Sequence, residues 1–193
     1  MAKDGKPIAE QIVDLILYNV DMDTAELWHS DGDTPYLSIR TEEEDHLEHY
    51  SLKTERTKEY LGRLFHDNTK KAASRVALTD AITILSGYAM AGDQHQLFIR
   101  VGSDDDATYV DLCDRTWDAI KITPHGWEIV KNPPIKFRRP KGMLPLPRPI
   151  EDGSIEDLRP LLNTDADSWI LIKAWLLSLL MPTGPYPLLI FNG

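Results

Sequence analysis

Tyr186-Pro187-Leu188-Leu189-Ile190-Phe191-Asn192-Gly193 closes a chain of 193 residues. Leu188 to Phe191 is a short, unbroken apolar run. A strand with one wet face alternates apolar and polar residues, whereas an unbroken run fits a strand buried on both faces, as in a parallel sheet. Parallel sheets are made of neighbouring strand–helix–strand units, and none precedes this run. The expectation is the first strand of a larger α/β core whose partner strands lie outside the chain. A buried strand meeting a glycine is also how a phosphate-binding loop begins, because the turn lets backbone N–H groups close around phosphates. Gly193 would be the first glycine of G-x-x-x-x-G-K-[ST]. A C-terminal strand pairing with the chain's own sheet is the other reading of the same residues.

Working back from this end, Pro182-Thr183-Gly184-Pro185 stops an apolar helix expected from about Asp167 to Met181. Ser154, with Asp157 three residues later, has the spacing of a capping box and starts a short helix to Leu162. Between Asn132 and Pro149 there are six prolines, the cations Lys136, Arg138, Arg139 and Lys141, and no helix or strand period. This stretch reads as an extended linker or wrapping arm.

Upstream the period is two. Leu97, Ile99 and Val101 alternate, as do Tyr109 with Asp111, Ile120 with Ile122, and Trp127 with Ile129. Short turn-rich breaks separate them, which predicts a four-stranded antiparallel meander. Ile8 to Tyr18 has helical spacing, with Pro7 suited to a first turn. Asp31-Gly32-Asp33 joins Glu26–Ser30 and Pro35–Arg40 as a hairpin, with a third strand near His49 to Lys53 after the acidic turn Glu42-Glu43-Glu44-Asp45. Two more helices are expected, from Thr54 to Asp67 and around Leu78 to Leu85. The fold class is therefore α+β. The expected division is an accessory domain over 1–131, a basic Pro-rich linker over 132–149, and the start of a P-loop α/β core over 150–193.

The formal charge is -10, with 42% hydrophobic and 27% charged residues, an ordinary globular composition. Seven Lys/Arg against one Glu between Lys121 and Arg148 put about +6 there and leave about -16 elsewhere. An acidic surface argues against general coating of nucleic acid, which needs a concentrated positive footprint. Cys113 is the single cysteine, which excludes an internal disulfide or a thiolate zinc cage and fits a reducing cytoplasm. The N-terminus has no signal-peptide core, and the apolar run Trp169 to Met181 contains Lys173 and is too short to span a bilayer. A cytoplasmic chain without membrane contact is expected.

Asp21 and Asp23 have the spacing of paired metal-binding carboxylates, but no third carboxylate accompanies them and a solvated turn is their common fate. Asp104-Asp105-Asp106 reads in the same way. His46 and His49 could share a helix face as ligands at i, i+3, yet no fourth ligand is evident, and no metal site is assigned. No nucleophile elbow or Cys/His pair is present, so no catalytic residue is nominated. Lys136, Phe137, Arg138, Arg139 and Lys141 have the composition of a single-stranded nucleic-acid contact, cations for phosphates and an aromatic for a base. The competing reading is a strap whose cations pair with the acidic domain. Trp169 and Trp175 read as core anchors.

The segments Lys141-Gly142-Met143-Leu144-Pro145-Leu146-Pro147-Arg148-Pro149, Gly153 to Asn163, Trp175 to Leu180 and Gly184 to Gly193 resemble the region just before the Walker A loop of ATP-binding proteins from phages, prophages and integrative elements, described as primase-helicase or helicase-like ATPases. Ala9 to Leu15, Tyr60 to Ala89, Tyr109 to Asp114 and Ile122 to Val130 are similar in a looser way. The resemblance implies the non-catalytic N-terminal part of a DNA-dependent ATPase, with a role in DNA recognition or assembly. No cofactor would bind this chain itself. ATP and Mg²⁺ would belong to the intact protein, with DNA as partner and a homo-oligomer as its working form. The rival expectation is a complete, acidic protein-interaction module.

Overall fold

The structure is a computed structural model and describes residues 5–41 and 45–191. Gly193 and Glu42 to Glu44, named above, lie outside the described residues. The chain divides into two compact units, residues 1–97 and 98–193. The meander falls in the second unit with the Pro-rich stretch.

In the first unit, α1 (Ile8–Asp21) leads into β1 (Ala25–Ser30), β2 (Pro35–Arg40) and β3 (Leu47–Ser51), followed by α2 (Glu55–Thr69), α3 (Arg75–Ala91) and β4 (Gln94–His95). The sheet order is β3-β2-β1-β4. The hairpin forms as expected, with Ala25 opposite Ile39 and Leu27 opposite Leu37. Its tight turn places Asp33 at φ 51, so an aspartate rather than Gly32 takes the left-handed position. Ser74 caps α3 by accepting from the Ala77 N–H at 3.2 Å.

The helical period and the strand period meet in one core. Ile12, Val13 and Ile16 of α1, Leu61 and Phe65 of α2, and Ala81, Leu85 and Ala89 of α3 are buried with Ala25, Leu37 and Ile39 of the sheet. Each large side chain in that set contributes about 1.5–3 kcal/mol by leaving water. The alternate strand residues lie on the other face, where Trp28 stacks on Tyr36 with ring centroids 4.5 Å apart. The Trp28 N–H donates to Ser38 Oγ at 2.7 Å, and that hydroxyl lies 2.8 Å from His49 Nδ1.

In the second unit, β5 (Leu97–Phe98) pairs with β10 (Lys136–Phe137), and β6 (Val101–Ser103), β7 (Thr108–Asp111), β8 (Ala119–Thr123) and β9 (Gly126–Val130) form the antiparallel meander. The predicted first strand through Leu97, Ile99 and Val101 is broken in two, because Arg100 adopts φ 65. The core here holds Phe98, Ala107, Tyr109, Ala119, Ile135 and Phe137. Gly102 is required in β6, since a Cβ there would lie 2.5 Å from the Phe98 ring and 2.6 Å from Ile135.

A 3-10 helix over Ile155–Leu161 has the expected capping box between Ser154 and Asp157. It precedes α4 (Ala166–Ser178), which Asp165 caps. Glu156 ties the two together, accepting from the Trp169 indole N–H at 3.0 Å and from Lys173 at 3.1 Å. Trp169 is buried as expected, and the Trp175 N–H donates to the Pro187 carbonyl at 2.7 Å. The expected strand over Leu188 to Phe191 is absent from the sheets of the described residues, and Leu188 is 89% exposed. A strand buried on both faces needs neighbours, and none is placed beside it.

Gly92, the residue after α3, marks the tightest approach in the first unit. A Cβ there would stand 2.5 Å from the Leu27 carbonyl oxygen, which is backbone and cannot swing aside. Gly92→Ala should therefore cost about 1–3 kcal/mol in urea unfolding, the usual range for overpacking. An unchanged midpoint would contradict this packing.

Candidate functional site

The most constrained part of the second unit lies between β7 and β8, in Asp111-Leu112-Cys113-Asp114-Arg115-Thr116-Trp117-Asp118. Cys113 has φ 53 and Trp117 has φ 56, and neither is glycine. Such positions cost roughly 1–3 kcal/mol each and persist only where their surroundings hold them. The holding groups are aspartates. Asp111 Oδ1 accepts from the Cys113 N–H at 3.0 Å, and Asp114 Oδ1 accepts from the Asp118 N–H at 3.0 Å.

Two arginines of the Pro-rich stretch close over these carboxylates. Arg139 donates from Nε to Asp111 Oδ2 at 2.9 Å and from a second nitrogen to Oδ1, while its remaining nitrogen meets the Asp114 carbonyl. Its guanidinium carbon lies 3.9 Å from the Trp117 ring centroid. The Asp111 side chain is 2% exposed and that of Arg139 13%, so this is a buried, bidentate pair with a stacked cation. Arg148 reaches Asp114 Oδ2 at 3.0 Å and also Asp118. The hydrogen bond to Asp118 is the main cause that pushes the Arg148 guanidinium above its ordinary value.

Backbone bonds complete the attachment. Arg138 N–H donates to the Phe98 carbonyl at 2.8 Å, and Leu146 N–H to the Leu112 carbonyl at 2.9 Å. Arg100 bridges both sides, donating to the Asp111 carbonyl at 2.9 Å and the Leu144 carbonyl at 2.6 Å. Residues 136–148 are thus a strap fastened to the meander rather than a free linker.

The five residues named as a nucleic-acid contact do not converge on one surface. Phe137 is a core residue at 3% exposure, Lys136 is half-buried on β10, and Arg139 is committed to Asp111. Arg138 and Lys141 are exposed. Gly193 lies outside the described residues.

Asp21 ends α1, and Asp23 sits at φ 58 in the turn that follows. His46 and His49 do not share a helix face, because the chain there is the approach to β3 and the strand itself. His46 is buried, its Nε2 3.3 Å from Glu48 Oε1. Among the described residues no group of three or more His, Cys, Asp or Glu is placed to hold a metal ion. Asp104 is a turn cap: partial desolvation pushes its carboxyl up, but the N–H groups of Asp106 and Ala107 and the Tyr109 hydroxyl outweigh this and hold it below its ordinary range.

A second cluster was not singled out by the sequence. Glu48, Tyr50, Arg56, Glu59, Tyr60 and Arg63 line an open cleft of about 400 Å³ between β3 and α2. Tyr50 and Tyr60 stack at 5.6 Å, with Arg56 4.9 Å from the Tyr50 ring centroid. Burial first, and then the hydrogen bond to Glu48, push the Tyr50 phenol up to about 12. Two arginines offset two glutamates here, so the cleft has no strong charge preference.

No family model matches the chain, and neither the curated proteins nor the solved structures contain a significant match. Chemical roles must therefore be read from the residues. No helix among the described residues is long and apolar enough to cross a membrane.

Replacing Arg139 by Gln would leave Asp111 buried without its cation. The expected cost is about 3–5 kcal/mol in urea unfolding followed by tryptophan fluorescence. The Asp111→Asn, Arg139→Gln double variant should lose less than the two single losses combined. Additive losses would mean the pair is not coupled.

Proposed function

We propose that the chain is the non-catalytic N-terminal part of a DNA-dependent ATPase of a mobile element, helicase-like or primase-helicase-like, and that its work is assembly on the ATPase core. The observation that carries this reading is α4. Trp169 and Ile172 are its buried residues, while Ile170, Leu171 and Leu177 are each more than 60% exposed. Leu179, Leu180 and Met181, which follow the helix, are exposed as well, and so are Leu188, Ile190 and Phe191. A helix apolar on every side belongs inside a larger core, and exposed apolar surface of this kind marks an interaction site.

The resemblance of Gly184 to Gly193 and of the Pro-rich stretch to the region before a Walker A loop supports a P-loop core as what covers it. A P-loop core would add strands beside Leu188 to Phe191 and bind ATP and Mg²⁺. Arg138 and Lys141 are the exposed cations through which the strap would meet single-stranded DNA. Arg139 and Phe137 serve the fold instead. With a net charge of -10, the rest of the surface repels phosphate, so DNA contact would be local and the main task is holding protein partners in place, including further copies of the intact protein.

The same apolar surface would serve a stand-alone acidic interaction module, and one experiment separates the two. The native product is immunopurified from its source cells with an antibody against residues 55–91, sized, and assayed for ATP hydrolysis with and without single-stranded DNA. The expected result is a product longer than 193 residues with DNA-stimulated hydrolysis. A product of the size of this chain with no hydrolysis would overturn the ATPase reading.

A further inference from the structure

The β1 strand of the first unit has one edge that is paired over only part of its length. Towards β2 the bonds run through the even-numbered residues, as the Arg40 N–H to Thr24 carbonyl and Ser30 N–H to Thr34 carbonyl bonds show, both at 2.9 Å. The backbone groups of Ala25, Leu27 and His29 therefore point the other way. On that side β4 is the partner, and its register covers His29 and Ser30 alone. The His29 N–H reaches the Asp93 carbonyl at 3.0 Å, and Gly92 packs against the Leu27 carbonyl. Among the described residues no strand lies beside Ala25 or the Leu27 N–H.

A cleft of about 400 Å³ opens at this stretch, lined by Ala25, Glu26 and Leu27 of the strand, Leu17 and Val20 of α1, Tyr88 of α3, and Asp23. Its floor is apolar and its charged lining residues are both acidic. Glu26 is already engaged by His95, whose Nε2 lies 2.9 Å from Oε1. Tyr88 is half-exposed, and Met22, on the turn beside Asp23, is 57% exposed. Tyrosine and methionine are enriched where proteins meet partners.

We infer that this edge is a peptide-docking site: a short extended segment of a partner protein adds as a strand beside Ala25–Leu27, places one apolar side chain against Leu17, Val20 and Tyr88, and sets an adjacent Lys or Arg against Asp23 and Glu26. Strand addition supplies affinity through main-chain bonds, and the side pocket and acidic rim supply selectivity. The length is limited to three or four paired residues, because Gly92 closes the edge beyond Leu27. The occupant is basic, since a cation next to the apolar anchor meets the acidic rim of Asp23 and Glu26, whereas an acidic segment would face like charge. This inference concerns the first unit and does not depend on the function proposed above, which rests on the second.

The test uses the whole chain and a display library of random nine-residue peptides. The library is first cleared on the Asp23→Asn, Tyr88→Ala double variant, which removes peptides that bind elsewhere, and the remainder is selected on the unaltered chain. Both positions are exposed at the cleft, and Asn tolerates the left-handed conformation of Asp23. The expected survivors carry an apolar residue next to Lys or Arg and bind each single variant at least tenfold more weakly. They also slow amide hydrogen exchange at Leu27 at least tenfold, a readout that a change in fold of the variants cannot mimic. No survivors, or survivors that leave Leu27 exchange unchanged, would overturn the inference.

Discussion

The second unit depends on one buried ion pair, Arg139 on Asp111. Asp111 ends β7 and already accepts from the Cys113 N–H, so its charge is taken out of water at a point where the backbone is held in a left-handed turn. An uncompensated carboxylate there would be costly, and Arg139 is the compensation. Everything around the pair follows from it. Trp117 takes its left-handed conformation beneath the guanidinium, and Arg148 fastens the strap a second time through Asp114 and Asp118. Phe137, two residues before Arg139, is then delivered into the core beside Phe98 and Ile135. A stretch with six prolines cannot form a helix, but it can be held as an extended strap if cations at the right intervals find fixed anions.

The strap also changes how the chain's charge is understood. The local excess of about +6 between Lys121 and Arg148 is a real feature of the sequence. Part of it is consumed internally, by Lys121 on Glu128 and by Arg139 and Arg148 on three aspartates. Cations that neutralise buried acids are no longer a footprint for phosphate. Arg138 and Lys141 stay exposed, while the other exposed features are apolar on α4 and acidic with an apolar floor at the β1 edge.

Much of the fold was legible because its periods are clean. Ile8, Ile12, Leu15 and Ile16 marked α1, and the alternation around Tyr109, Ile120 and Trp127 marked the meander. Asp31-Gly32-Asp33 marked the hairpin, and Ser154 with Asp157 marked a cap. The misses share a different physical origin. Arg100 breaks an alternating run by a backbone conformation that no side-chain pattern reports. His46 and His49 have a spacing that fits a helix face, yet β-pairing opposite Ser38 places His49 on a strand and leaves His46 on the approach to it. The Asp111–Arg139 pair joins residues 28 apart, and the sequence shows both charges without showing that they meet. The Tyr50 and Tyr60 stack and the partly paired edge of β1 likewise exist only once a strand and a helix are side by side. Leu188 to Phe191 has the composition of a doubly buried strand, and composition alone does not supply the neighbours that would make it one.

The strap is tested most directly by amide hydrogen exchange at two positions, Arg138 and Leu146, resolved by NMR. Their N–H groups donate to Phe98 and Leu112, one near each end of the fastened stretch. A strap that belongs to the fold protects both, with exchange slowed to the level of the β7 and β8 amides that open only with the unit itself. Exchange at the rate of an unstructured chain at both positions would mean that residues 136–148 are a free linker, and that the aspartates between β7 and β8 hold their conformation without it.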